Sequence, residues 1–160
     1  MRLIIAAVGK LKDAEERGIC ERYAKRLAVT GKPVGFGPLE ITELNESRAE
    51  TVDARKADEA QRLLKAATGA TLKIALDENG RQFTSDAFAK LLGRHADSGV
   101  KTCALLIGGP DGHGADVLGS ADIKLSLGSF TLPHGLARVV LIEQLYRAAT
   151  ILTGHPYHRA

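Results

Sequence analysis

The chain has 160 residues, 44% of them hydrophobic and 26% charged, with 17 glycines and five prolines. That length can bury one substantial core without disulfides or metals, and the composition excludes disordered and fibrous classes. A formal net charge of +3 permits an anionic partner but is too small to mark a nucleic-acid binder. With 4% aromatic residues and no tryptophan there is also no platform for stacking single-stranded bases.

Leu3 to Val8 is a continuous apolar run closed by Gly9, the pattern of a strand covered on both faces. No small-residue cleavage site follows it and a charged helical pattern begins at once, so it reads as a strand rather than a signal peptide. No stretch of the chain is apolar for long enough to span a membrane. Asp13 with Glu16 offers a helix start, and Cys20, Tyr23 and Leu27 recur at helical spacing. Turn formers from Gly31 to Pro38 precede Leu39 to Leu44, which alternates as a half-exposed strand would.

Ser47 and Glu50 have capping-box spacing ahead of a polar helix whose apolar stripe includes Val52, Leu63 and Leu64, with Gly69 at its end. The charged outer face of that helix reads as a solvated surface. Thr71 to Leu76 is the next strand, followed by Asp77-Glu78-Asn79-Gly80 as a turn and a short helix carrying Phe88, Leu91 and Leu92. Thr102 to Ile107 is another buried strand. The alternation of strand and helix predicts an α/β fold with a mostly parallel sheet flanked by helices on both sides. No repeat or linker divides the chain, so residues 1–160 read as a single domain.

The last helix is expected to start at Pro133 and end near Thr153, with Gly154 as its C-cap and Pro156 beyond. Leu136, Val139, Val140, Leu141, Ile142, Leu145, Tyr146, Ile151 and Leu152 spread beyond one stripe, while Glu143 and Arg147 are spaced to pair along its side. Such a helix is buried on more than one side, within its domain and against a second copy in a homodimer. The alternative is a central helix of a monomer.

Three segments could carry chemistry. Gly108-Gly109-Pro110-Asp111-Gly112-His113-Gly114 follows a buried strand, where open α/β sheets bind ligands, and its glycines allow close backbone approach. Val117 stands where the dinucleotide fingerprint needs a third glycine, and no Gly-Lys-Ser/Thr of a P-loop follows. A second loop from Leu125 to Pro133 adds the flexible Gly128, the hydroxyls of Ser129 and Thr131, and the unpaired amides of a helix start. The tail, His155-Pro156-Tyr157-His158-Arg159, collects two imidazoles, a phenol and a guanidinium at a chain end. No metal site is expected, because His155 and His158 have no further ligands grouped with them. Cys20 and Cys103 read as buried, reduced thiols of a cytoplasmic protein, and Gly-x-Ser-x-Gly is absent.

The run Leu105 to Gly112, then Leu125-Ser126-Leu127, Thr131-Leu132-Pro133-His134, Arg138, Glu143 to Ala148 and His155 to Arg159, is similar to the bacterial RlmH family. That family comprises ribosomal RNA large-subunit methyltransferases of the SPOUT superfamily. Gly135 stands where relatives often carry a bulkier residue. The resemblance implies an α/β fold with a C-terminal trefoil knot and a homodimer. It implies S-adenosyl-L-methionine as cofactor and N3 methylation of a pseudouridine in the helix 69 loop of 23S rRNA, within the assembled 70S ribosome. Carried over by motif, the cofactor site would comprise Leu76, Gly108, Leu127, Gly128, Ser129, Phe130, Thr131 and Leu132. In the tail His158 would act as base, Tyr157 would orient it and Arg159 would contact phosphate or base. Without the resemblance, the same loops also suit a nucleotide-binding hydrolase, or a non-catalytic ribosome-associated protein built on an enzyme fold.

Overall fold

A computed structural model describes residues 1–159. Five strands, β1 (Arg2–Val8), β2 (Leu39–Leu44), β3 (Leu72–Gln82), β4 (Thr102–Ile107) and β5 (Ile123–Ser126), form one sheet in the order β2-β1-β4-β3-β5. Every neighbouring pair is parallel. Between and after them lie α1 (Ala14–Thr30), α2 (Val52–Ala66), α3 (Ser85–Asp97), α4 (Ala115–Ser120) and α5 (His134–Thr153).

The two-residue period of a strand divides each central run between two cores. Leu3, Ile5, Leu105 and Ile74 face α1, α3 and α5, where Leu27, Leu92, Leu141 and Leu145 are buried against them. Ile4, Ala6, Ala104 and Leu106 face α2 and α4, meeting Ala60, Leu63, Ala67 and Val117. Alanine dominates this second layer, so α2 lies close over the sheet. Burial on both faces is why β1 and β4 read as unbroken apolar runs.

The ends of the elements follow local chemistry, with some departures from the expected pattern. Asp13 caps α1 as anticipated, its carboxylate accepting from the Glu16 amide at 2.8 Å. The cap of α2 is Thr51, whose hydroxyl accepts from Ala54 N at 3.1 Å. Ser47 lies too early for that role, and its amide donates to Glu59 Oε1 at 2.8 Å instead. Val52, expected in the apolar stripe of α2, is exposed because it sits in the first turn, before the helix reaches the sheet. The short α4, unmarked by periodicity at its length, crosses from β4 to β5 on the α2 side.

The largest departure is in β3, which does not end at Leu76. Leu76 and Arg81 both pair with Leu125, so residues 77–80 loop out of the ladder before it resumes. The turn chemistry was legible, since Asp77 Oδ1 accepts from Asn79 N at 3.1 Å, but the turn sits within a strand. Gly80 is required there by space: a Cβ would lie 2.7 Å from the Lys124 carbonyl carbon.

Helix α5 has the expected limits, with Pro133 at its N-cap and Gly154 in the left-handed region at φ 68°. It packs between α1 and α3. Arg138, 2% exposed, fastens its first turns to the sheet by donating to Glu43 at 2.8 Å and to the Gly9 carbonyl at 2.9 Å. Leu136 remains exposed, and Val139 and Val140 are half-buried. Both cysteines are free and buried, and burial pushes the Cys103 thiol up to about 12. Among the described residues no helix is long and apolar enough to cross a membrane.

Candidate active site

Because all five strands run the same way, the segments leaving β3, β4 and β5 gather at one edge of the sheet. There the 77–80 bulge, the Gly108–Gly114 loop and the Leu127–Pro133 loop enclose a cavity of about 370 Å³. Leu76, Gly108, Leu127, Gly128, Ser129, Phe130, Thr131 and Leu132, the residues expected at a cofactor site, all line it. Gly128 has φ +130°, a conformation that side chains other than hydrogen rarely allow. Ser126 Oγ holds this turn, accepting from Gly128 N at 3.3 Å and donating to Gly128 O at 3.2 Å.

The glycines of the β4 loop have more than one duty. Gly112, at φ +82°, closes a tight turn by donating from its amide to Gly109 O at 3.0 Å. Gly109 and Gly114 are needed for packing against α2, because a Cβ would come within 2.8 Å of Glu59 Oε2 and 2.6 Å of Lys56 O respectively. Asp111 ties the loop to the same helix through Arg55 at 2.7 Å. This salt bridge directs Asp111 toward α2; it is not among the cavity's lining residues.

Three titratable residues of the cavity were not anticipated as site residues. Asp77 and Glu78 supply carboxylates from the bulge, and His113 supplies an imidazole from the β4 loop, whereas among the described residues no lysine or arginine lines the space. An acidic pair directly following a buried strand end was the available signal, hidden because the stretch also read as a turn. His113 is 8% exposed, and burial pulls its imidazole below the ordinary value of 6.5. Its Nε2 lies 3.2 Å from the Leu106 carbonyl, which can only accept, so the neutral ring carries its proton there. Nδ1 is left as a buried acceptor without a partner among the described residues.

The tail occupies a different place. Tyr157 packs on Tyr146 at 4.7 Å between ring centroids, and the Arg147 guanidinium covers its ring at 4.8 Å. Its hydroxyl donates to Glu143 at 2.9 Å and lies 3.2 Å from the Tyr23 hydroxyl. Burial, then these two hydrogen bonds, pushes the phenol well above its ordinary value, so it is a proton donor at neutral pH. The expected pair of Glu143 and Arg147 forms at 2.7 Å. Arg147 also lies 3.4 Å from Nδ1 of His158; arginine only donates, so in this arrangement the neutral His158 ring carries its proton on Nε2. Arg159 is exposed.

Pocket and tail are therefore separated within one chain. Ala137 lines the cavity, and Arg147, which holds the tail, is about 15 Å further along the axis of α5. None of Tyr157, His158 and Arg159 lines the pocket of its own chain.

A loop-enclosed cavity at the carboxyl edge of a parallel sheet is the ligand-binding arrangement of α/β enzymes. The family model described as "Predicted SPOUT methyltransferase" matches residues 1–158, and the chain belongs to that family. A curated relative, the ribosomal RNA large subunit methyltransferase H of Brucella anthropi, is 46% identical over 160 residues, covering 100% of both chains. Among solved structures, a probable methylase family protein from Haemophilus influenzae superposes with a TM-score of 0.54 at 14% identity, over 99% of this chain and 70% of that one. A probable methyltransferase from Bordetella pertussis gives 0.51 at 18% identity, over 92% of this chain and 95% of that one. These two likenesses show a shared α/β fold.

Proposed function

We propose that this methyltransferase takes its methyl group from S-adenosyl-L-methionine and delivers it to N3 of a pseudouridine in the helix 69 loop of 23S rRNA. The substrate is the assembled 70S ribosome in the cytoplasm, and the active species is a homodimer. The observation that carries the cofactor assignment is the charge of the cavity, which has Asp77 and Glu78 on its wall and no cation. A sulfonium and an ammonium suit such a wall; a nucleoside polyphosphate would be repelled by it. That asymmetry argues against the nucleotide-hydrolase reading. The rRNA assignment rests on full-length likeness to relatives named for that activity.

S-adenosyl-L-methionine supplies a methyl carbon on a sulfonium, ready for in-line displacement. The protein's task is to hold that carbon against the substrate nitrogen and to receive the proton lost from N3. The Leu127–Leu132 segment, Leu76 and Gly108 would grip the cofactor through backbone groups, and Ser129 and Thr131 add hydroxyls. The tail of one copy completes the site of the other, which accounts for its distance from its own pocket. Phe130, 90% exposed at the cavity rim, and Leu136 support a covering partner. Docking of the tail frees His158 Nδ1 from Arg147, and that nitrogen takes the N3 proton. Tyr157 holds the tail in register and Arg159 contacts phosphate. A knotted C-terminal segment belongs to the same reading, with the β3 bulge crossing closely over Lys124.

The test is methyl incorporation from labelled S-adenosyl-L-methionine into intact ribosomes, followed by mass spectrometry of the rRNA. One methyl group at the helix 69 pseudouridine is expected, with weaker labelling of naked rRNA. A protein truncated after Gly154 should remain a folded dimer and transfer nothing. Ribosome binding without incorporation by the full chain would refute the assignment in favour of a non-catalytic role.

A further inference from the structure

A second opening lies on the same edge of the sheet, where β1 and β2 end. Lys10 and Lys12 follow β1, Asn45 to Arg48 follow β2, and Asp58 and Arg62 of α2 close the far side of a groove of about 760 Å³. Its chemistry is opposite to that of the cofactor cavity. Four cations face two carboxylates, and one of each is already spent on the Arg62–Asp58 pair at 2.8 Å. Lys10, Lys12 and Arg48 are exposed and form no ion pair among the described residues. Among the described residues no aromatic side chain lines the groove, so it offers nothing for stacking a base.

The groove and the cavity adjoin through the start of α5. A Cβ on Gly9, which lines the groove, would lie 3.7 Å from His134 Nε2 and 3.8 Å from Glu46 Oε1. His134 directly follows the Leu127–Pro133 loop that walls the cavity. A nucleotide presented to the cavity would thus have its neighbouring phosphates carried toward Lys10, Lys12 and Arg48.

We propose that this groove binds the phosphate backbone of the RNA flanking the modified nucleotide, as a positioning track that reads charge and spacing rather than base identity. The inference rests on the RNA-methyltransferase reading above. It locates the substrate strand on the surface of the chain that also forms the cofactor cavity.

The experiment compares the unaltered protein with a triple variant, Lys10→Gln, Lys12→Gln and Arg48→Gln, in binding to ribosomal particles across a salt series. Losing three single-strand phosphate contacts should reduce the slope of log K against log salt by about 2, at about 0.7 per phosphate. A control triple, Lys32→Gln, Lys65→Gln and Lys101→Gln, removes equal charge near the opposite sheet edge and should keep the slope. Calorimetric affinity for S-adenosyl-L-methionine and the urea midpoint should be unchanged in both. An unaltered slope in the folded groove variant, or an equal fall in the control, would overturn the track. Failure of the unaltered protein to bind S-adenosyl-L-methionine or ribosomal particles would instead overturn the functional reading beneath it.

Discussion

Replacing Gly80 by alanine tests the crossing of β3 over β5 on which the cavity wall depends. The added methyl carbon would stand 2.7 Å from the carbonyl carbon and oxygen of Lys124 and 2.8 Å from Leu125 N. Carbon contacts are comfortable near about 3.5–4 Å, so the two backbones must separate by about 1 Å. Gly80 is not among the glycines at positive φ, so the penalty is steric and not conformational. Overpacking of this kind costs about 1–3 kcal/mol, and the stiffer unfolded chain offsets about 0.5–1 kcal/mol of it. The net loss of about 1–2 kcal/mol should lower Tm by about 3–6 °C at this chain length. Affinity for S-adenosyl-L-methionine should fall as the Asp77–Asn79 wall moves outward. Gly18→Ala is the matched control, since a Cβ there meets nothing within 4 Å and the residue is helical. It should raise stability by about 0.5–1 kcal/mol. Urea and thermal unfolding followed by circular dichroism, with calorimetry, read both variants. Equal shifts in the two, or a Gly80→Ala protein as stable as the parent, would refute the reasoning.

Burial holds His113 and His134 below the ordinary 6.5, the Arg138 charge adding to the effect on His134. The unfolded chain therefore takes up protons first, and stability that is complete above that value is lost as pH falls below it. Urea midpoints on either side should show the decline, and His113→Leu should flatten it; parallel profiles would contradict the assignment. Tyr157→Phe removes the hydroxyl bonded to Glu143 and Tyr23 and should cost about 1 kcal/mol. Its kcat should drop while calorimetric affinity for S-adenosyl-L-methionine holds, and an unchanged kcat would show that tail register is immaterial. Glu43→Ala strands the Arg138 guanidinium in the core; because Glu43 itself is 35% exposed, the loss should be near the low end for buried pairs, about 3 kcal/mol. A urea midpoint within error of the parent would show that water reaches Arg138.

Much of the candidate site was legible because its parts are local. Gly108 lies in a loop that directly follows the buried apolar run of β4, Leu127 and Leu132 lie in the loop after the short β5, and a parallel sheet brings such loops to one edge. The limits of α5 were legible for the same reason, since Pro133 and Gly154 act through their own backbone. Asp77 and Glu78 were missed because a bulge and a turn share one chemistry, and only the pairing of both Leu76 and Arg81 with Leu125 distinguishes them. His113 was legible only as a member of the glycine-rich loop, since its free Nδ1 depends on the Leu106 carbonyl, which meets Nε2 of the ring only after folding. The place of the tail was equally undetermined. Its side chains were conspicuous in the sequence, but their distance from the cavity follows from the length of α5 and from contacts with Tyr23 and Tyr146 on two helices. What the sequence by itself determined was the longer strands and helices and which loops could meet a ligand, because period and turn chemistry act over a few residues; α4 and β5, six and four residues long, are too short to show a period, and Leu125 and Ser126, expected in a loop, belong to β5. The tertiary structure alone decided the charge of the cavity and its separation from the tail, because both depend on side chains far apart in the chain.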